Sequence, residues 1–343
     1  MKFSSVSLRN AKGAILAHSI SLPGGRLRKG MVLDAAHLDA LSHAGHERVT
    51  VARLDDGDIH EDVAALRLAR ALVPDPQAAR LHRSEAFTGR VNLLADTAGI
   101  VVMDPDAIAG VNMVDPALTL ATVPRWRQVR PGGMVATVKI ITYAVGTQIL
   151  EQACDAGAGG LRVQPPTYRN ASLILTDIPS TDDGRQADRL AEKGRRAVRG
   201  RLDMLGMTMA ETLRVPHETS ALANAIARAR GEMILILTAT ATSDARDVAP
   251  EALRKAGGHL ERFGIPVDPG NLLFLGALGA RPVIGLPGSA RSSALHGADW
   301  MLARVACGLP PGAREIAEMG IGGLLKEMPT RPMPRRARPP DSH

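Results

Sequence analysis

The sequence predicts an α/β protein. Its C-terminal half reads as a three-layer α/β/α domain on a mostly parallel sheet, preceded by a smaller α+β block and a β-rich block. Three observations carry this. Beyond residue 171 strand-like and helix-like stretches alternate, the pattern of a largely parallel sheet covered on both faces. A stretch with two prolines, "PPTYRN", separates that rhythm from what precedes it. The chain has 343 residues, 45% of them apolar and 22% charged, enough to bury more than one core. Aromatics make up 2%, so those cores are expected to be aliphatic.

The first block, residues 1–80, opens with "GGRLRKGMVL", a tight turn or hairpin leading to a strand. "DAAHLDALSHAG" reads as a short helix, with Asp34 as its N-cap and Gly45 as its stop. "RVTVARL" is a strand, and "DIHEDVAALRLARAL" a second helix ended by "VPDPQ". In the second block, residues 86–165, "RVNLLA", "GIVVMD", "LTLATV" and "MVATVKIITYAV" read as strands and "TQILEQACDAG" as a helix. The third block, residues 171–310, runs strand "SLILTDI", long helix 184–204, strand "TMAETLRV", helix "TSALANAIARA", strand "EMILILTAT" and helix "VAPEALRKAG". Strands "NLLFLGAL" and "RPVIGLP" and a final helix over 289–307 complete it. Residues 329–343, basic and rich in proline, are expected to be a disordered tail.

The formal net charge is +7. Besides the tail, "RLAEKGRRAVRGRL" (189–202) concentrates bases inside the fold. With so few aromatics to stack on bases and no recognition motif, nucleic acid is the weaker explanation, and a small, highly charged anion accounts for the cluster as well. Cys154 and Cys307 lack metal-ligand spacing and read as reduced thiols of a cytoplasmic protein. No run suits a membrane span.

Chemistry is expected where strands end. Four loops follow strand ends in the third block: "LTDIPSTDD" (175–183), "LTATATSDARD" (237–247), "VDPGNL" (267–272) and "GLPGSARSS" (285–293). In a parallel sheet such loops meet beyond the carboxyl ends of the strands, where ligands bind. Their hydroxyls and backbone N–H groups, with Arg291 and the basic helix nearby, suit a phosphate-bearing ligand. In "GLPGSARSS", Gly288 would let the chain approach the ligand, Ser289 would cap the helix or donate to a phosphate, and Arg291 would supply charge. The ordinary alternative for each loop is turn chemistry.

Those same stretches resemble the molybdopterin-binding domain shared by molybdopterin molybdenumtransferases, molybdopterin adenylyltransferases and gephyrin, from about Ala171 to about Leu309. "ILTD" (174–177) sits where the family has a strand ending in Ser-Thr-Gly-Asp. "VPHETSALANAI" (215–226) matches its Val-Pro-Asp-Asp helix start, "VDPGN" (267–271) its Pro-Gly-Lys-Pro, and "PVIGLPGSARS" (282–292) its strand followed by Gly-Leu-Pro-Gly-Asn-Pro. "GGRLRKGMVLDAAHLDALSHAG" resembles a segment that precedes the domain in the molybdenumtransferases. The departures are specific too. The family's Asp-Ser-Asn falls on Glu192, Lys193 and Gly194, and its Gly-Gly-Val-Ser-Val-Gly loop on "ATATSD" (239–244). The lysine of Pro-Gly-Lys-Pro is Asn271 here. Without the glycines the 239–244 backbone has less freedom to approach a phosphate, and without the lysine a point charge is gone.

The resemblance implies molybdopterin or a molybdopterin nucleotide as ligand, with Mg²⁺ and molybdate if the chain inserts metal. It implies a role in molybdenum cofactor biosynthesis, as an enzyme or as a carrier that hands the cofactor to a molybdenum enzyme or another biosynthesis protein. A homodimer is a weaker implication. The implied ligand-binding residues are Thr176, Asp177, Lys193, Thr240, Thr242, Ser243, Pro269, Gly270, Pro287, Gly288, Ser289 and Arg291. Asp247, retained from the family, and Glu192 are the candidate catalytic acids. Asp247 reads equally well as the cap of the next helix, a role that asparagine is expected to preserve. His37, His43 and His46 do not share one helical face as metal ligands. His296 is expected to be packed or solvated inside the final helix. Ser292 and Ser293 lack a His–Asp arrangement for nucleophilic catalysis.

Overall fold

The computed structural model describes residues 1–178 and 185–325. The predicted tail and residues 179–183 of the first loop lie outside them. The described chain forms two compact units: Met1–Thr97 with Val101–Gln164, and Ala98–Ile100 with Pro165 onward.

The first unit is built from small antiparallel sheets and short helices. Its elements are β1 (Lys2–Ser7), β2 (Ile15–Leu16), β3 (Ile20–Leu22), β4 (Gly25–Leu27), α1 (Ala35–His43), β5 (Arg48–Arg53), β6 (Asp58–His60), α2 (Glu61–Leu72) and α3 (Pro76–Ala79). After them come β7 (Leu81–Arg83), β8 (Arg90–Ala95), β9 (Gly99–Met103), α4 (Pro105–Val114), β10 (Leu118–Thr122), β11 (Gln128–Val129), β12 (Met134–Ile140), β13 (Ala144–Gly146), α5 (Thr147–Gly157) and β14 (Leu161–Gln164). β3 and β4 form the hairpin expected around "GGRLRKGMVL". Asp34 caps α1, its side chain accepting from the His37 N–H, and Gly45 follows the helix with φ +82°. The second helix starts three residues later than its sequence suggests, because Asp58–His60 pair as a strand with Ala144–Gly146.

The second unit holds a six-stranded sheet in the order β16-β15-β17-β20-β19-β18. These strands are β15 (Asn170–Asp177), β16 (Thr208–Pro216), β17 (Met233–Leu237), β18 (His259–Phe263), β19 (Phe274–Leu278) and β20 (Arg281–Leu286). The four strands from β16 to β20 run parallel, whereas β19 is antiparallel to both β20 and β18. The helices are α6 (Arg185–Met204), α7 (Thr219–Arg228), α8 (Val248–Lys255), α9 (Gly297–Ala306) and α10 (Ala313–Glu318). β17, "MILIL", is buried along its whole length, as a strand covered on both faces must be. Ile234 and Ile236 join the core formed with α7 and α8. On the other face Leu237 meets α6, where Gly194 leaves it room: a Cβ there would lie 2.6 Å from Leu237 Cδ2. Both cysteines are free thiols, and burial pushes that of Cys307 up to about 12.

Register fixes where the loops go. Asp177 lies opposite Pro216, Leu175 opposite Leu237, and Leu237 opposite Leu286. Phe263 is opposite Phe274, which is opposite Gly285. The carboxyl ends of β15, β16, β17, β18 and β20 therefore share one edge of the sheet, so all four loops singled out in the sequence emerge there. The final helix is not continuous. A short 3-10 helix spans Gly288–Arg291, Ser292 is extended, and α9 begins only at Gly297, after His296.

Candidate functional site

At this edge a cleft of about 270 Å³ opens between the end of β15 and α6. Leu175, Ile178, Ala187, Leu190, Ala191 and Ala239 give it apolar walls, and Thr176, Asp177, Gln186 and Arg291 supply its polar groups. Arg291 reaches it because the chain turns tightly after Pro287 and because α6 carries Gly194 beside it. A Cβ on Gly194 would stand 3.5 Å from Arg291 Cγ. One guanidinium nitrogen, Nη2, donates to the Thr238 carbonyl at 2.8 Å. The Nε–H is buried and has no hydrogen-bond partner among the described residues. Burial lowers this guanidinium from the ordinary arginine value, and the Asp177 carboxylate partly offsets the effect. Arginine stays charged regardless. The cleft is thus lined by a partly desolvated cation whose Nε–H is shut off from solvent, and an anionic ligand group would meet the guanidinium at its accessible nitrogens.

Asp177, the last residue of β15, is held by Arg214 of β16, and Arg214 also grips Asp188 of α6. Behind the cleft His217 joins two strand ends. Its Nδ1 lies 2.9 Å from Thr176 Oγ1 and its Nε2 2.9 Å from Thr240 Oγ1. The Ala239 N–H donates to Thr176 Oγ1 at 2.9 Å, and the Thr238 hydroxyl donates to the Thr240 carbonyl at 2.6 Å. The "ATATSD" loop lacks glycine but is tied down by hydroxyls and one imidazole.

The other sequence-predicted residues fall elsewhere. Thr242 is buried, and the Ser243 N–H donates to Asp247 Oδ2 at 2.9 Å. Asp247 Oδ1 accepts from the Val248 N–H at 2.7 Å, so this carboxylate is the N-cap of α8. Glu192 and Lys193 are exposed on α6 and do not line the cleft. Glu192 pairs with Arg195 at 2.7 Å, which holds its carboxyl below the usual range. Pro287 is buried and precedes the 3-10 helix without a side-chain cap. Gly288 sits beside the Arg291 guanidinium; a Cβ there would be 3.3 Å from Nη1. Pro269 and Gly270 seat the start of α9: the Pro269 carbonyl accepts from the Gly297 N–H at 2.8 Å, and Gly270, at φ +137°, packs on Gly297.

Ser289 does not cap a helix. Its exposed hydroxyl meets Nε2 of the buried His296 at 2.8 Å. His296 is itself the N-cap of α9, with Nδ1 accepting the Ala298 N–H at 3.0 Å. A neutral imidazole that accepts at Nδ1 carries its proton on Nε2 and donates to Ser289, so it does not activate that serine as a nucleophile. Sequence reasoning missed Gln186, Leu190, His217 and His296 as parts of this edge. His217 was discoverable, since it replaces an acid of the family's Val-Pro-Asp-Asp.

Comparison with known proteins bears on the same segment. Residues 177–305 match a family model described as a probable molybdopterin binding domain, and residues 5–53 match a domain of unknown function. No curated protein matches the chain. Among solved structures, a molybdopterin biosynthesis MoeA protein from Pyrococcus horikoshii is 13% identical, covering 90% of this chain and 75% of its own, with a TM-score of 0.31. A molybdopterin biosynthesis protein from Mycobacterium abscessus is 18% identical, covering 42% of this chain and 94% of its own, with a TM-score of 0.23. At these TM-scores it is the family match, not the superpositions, that identifies the domain.

Proposed function

Residues 177–305 carry a domain of the molybdopterin-binding family, and from that premise we propose that this chain holds molybdopterin, or a molybdopterin nucleotide, at the carboxyl edge of the second unit's sheet. Its role is in molybdenum cofactor biosynthesis. The observation that carries the reading is Arg291, a half-buried cation lining an otherwise largely apolar cleft. A flat heterocycle with an anionic substituent suits both halves of that lining: ring faces against Leu175, Leu190 and Ala191, charge toward Arg291.

Holding and passing on the ligand is favoured over metal insertion by the state of the acids. Both Asp247 oxygens accept backbone N–H groups, and Glu192 is engaged by Arg195 away from the cleft. Among the described residues no three His, Cys, Asp or Glu side chains gather as a metal-binding set. The recipient would be a molybdenum enzyme or another protein of cofactor assembly.

Anaerobic calorimetric titration with molybdopterin tests it. Arg291→Ala is expected to weaken binding about tenfold or more, the usual worth of hydrogen bonds to a charged partner, while the thermal midpoint changes little. Equal affinity for both proteins would remove Arg291 from the site.

A further inference from the structure

Arg201 lies toward the C-terminal end of α6 and is 8% exposed. Its guanidinium donates chiefly to one stretch of chain, residues 290–299, with a longer bond of 3.3 Å to the Ala197 carbonyl of its own helix. Nη1 donates to the Ala290 carbonyl at 2.8 Å, Nη2 to the Ser292 carbonyl at 2.8 Å, and Nε to Asp299 Oδ1 at 2.5 Å. The two carbonyls flank Arg291. Asp299 extends the clamp: its Oδ2 accepts the His296 N–H at 2.7 Å, and the His296 ring meets Ser289.

A buried cation costs desolvation, and replacing such a group with apolar side chains often leaves a fold equally stable. The geometry here points to a use beyond stability. The 3-10 helix that carries Arg291 is four residues long and continues into an exposed stretch at 292–295 that starts with the extended Ser292. So short a helix has little stability of its own. What fixes its backbone on either side of Arg291 is the planar fork of Arg201, whose two terminal nitrogens reach two carbonyls at once.

We infer that Arg201 is a positioning residue: it sets the 288–292 backbone so that the Arg291 side chain lies along Gly194 and lines the cleft, its guanidinium ready for an anion before one arrives. The inference rests on the ligand reading above, and its test separates the two.

Arg201→Lys keeps the charge and loses the fork. In anaerobic titration with molybdopterin it is expected to weaken binding about tenfold, comparable to losing one hydrogen bond to a charged group. Placed on Arg291→Ala it should cause no further loss of affinity, while lowering the thermal midpoint as much as it does alone. The same loss of affinity in both backgrounds would mean that Arg201 acts on the whole fold, and would overturn the inference. Should Arg201→Lys fold poorly, Asp299→Asn, which weakens the anchor of the Arg201 Nε, is expected to move affinity in the same direction; unchanged affinity there would count against the inference. A readout independent of ligand is hydrogen exchange of the Arg291 Nε–H followed by NMR. It should quicken in Arg201→Lys, and an unchanged rate would refute positioning. If the unaltered chain binds no molybdopterin while that exchange does quicken, the ligand reading fails and the positioning role stands.

Discussion

Asp247 stands at the start of α8, and its residue type would serve equally as a catalyst and as a cap. Its two oxygens accept from two different N–H groups, those of Ser243 and Val248, at the positive end of α8. Asparagine offers one acceptor oxygen, and its amide would face the other N–H donor to donor. Asp247→Asn is therefore expected to destabilise the second unit by about 1 kcal/mol, the scale of a lost cap, and to leave molybdopterin affinity almost unchanged. Asparagine can still cap the Val248 N–H, as expected from the sequence, but cannot serve both donors at once. Urea unfolding read against anaerobic titration checks it; unchanged stability with lost affinity would make Asp247 a ligand-contacting group instead.

At the scale of elements, the close approach of β19 to β20 depends on one glycine. Phe274 lies opposite Gly285, and a Cβ on Gly285 would fall 1.9 Å from the ring. Gly285→Ala is expected to cost about 1–3 kcal/mol by overpacking, lowering the urea midpoint; a neutral result would mean that the ring moves freely. Most of this architecture was legible in the sequence. Alternation marked the strands and helices of the second unit, and loops rich in Thr, Ser, Asp, Gly and Pro marked the edge where ligands gather. The direction of β19 was not foreseen, nor the break in the helix read over 289–307. "SARSSALHGADW" contains no proline, and its weak helix formers, three serines and Gly297 among them, do not say where a break would fall. The break is imposed from a distance, by Arg201 holding the Ala290 and Ser292 carbonyls and by the His296 side chain starting α9 afresh. Local propensity does not carry such information. The cleft walls were illegible for a related reason. Gln186, Leu190 and Ala191 are unremarkable helix residues until register and packing turn one face of α6 toward the end of β15.

At the scale of the molecule, the net charge of +7 is less a polyanion-binding surface than its sum suggests. Arg201 and Arg304 are buried and Arg291 partly so, and all three hold carbonyls, Arg201 and Arg304 also gripping carboxylates: Arg304 grips Glu315 through two bonds of 3.0 Å. Arg201 and Arg291 hold loops at the carboxyl edge of the second unit's sheet, where α/β folds bind ligands, whereas Arg304 ties the end of α9 to Leu309 and Glu315. Among the described residues no helix is long and apolar enough to cross a membrane. In the function proposed above, the pterin would sit between the end of β15 and α6, beside Arg291. Amide hydrogen exchange of the full chain, run anaerobically with and without saturating molybdopterin, tests it most directly. The account predicts slowed exchange at residues 175–178, 186–195, 238–241 and 288–292. Saturating binding that slows exchange only in residues 1–97 or 101–164 would contradict it.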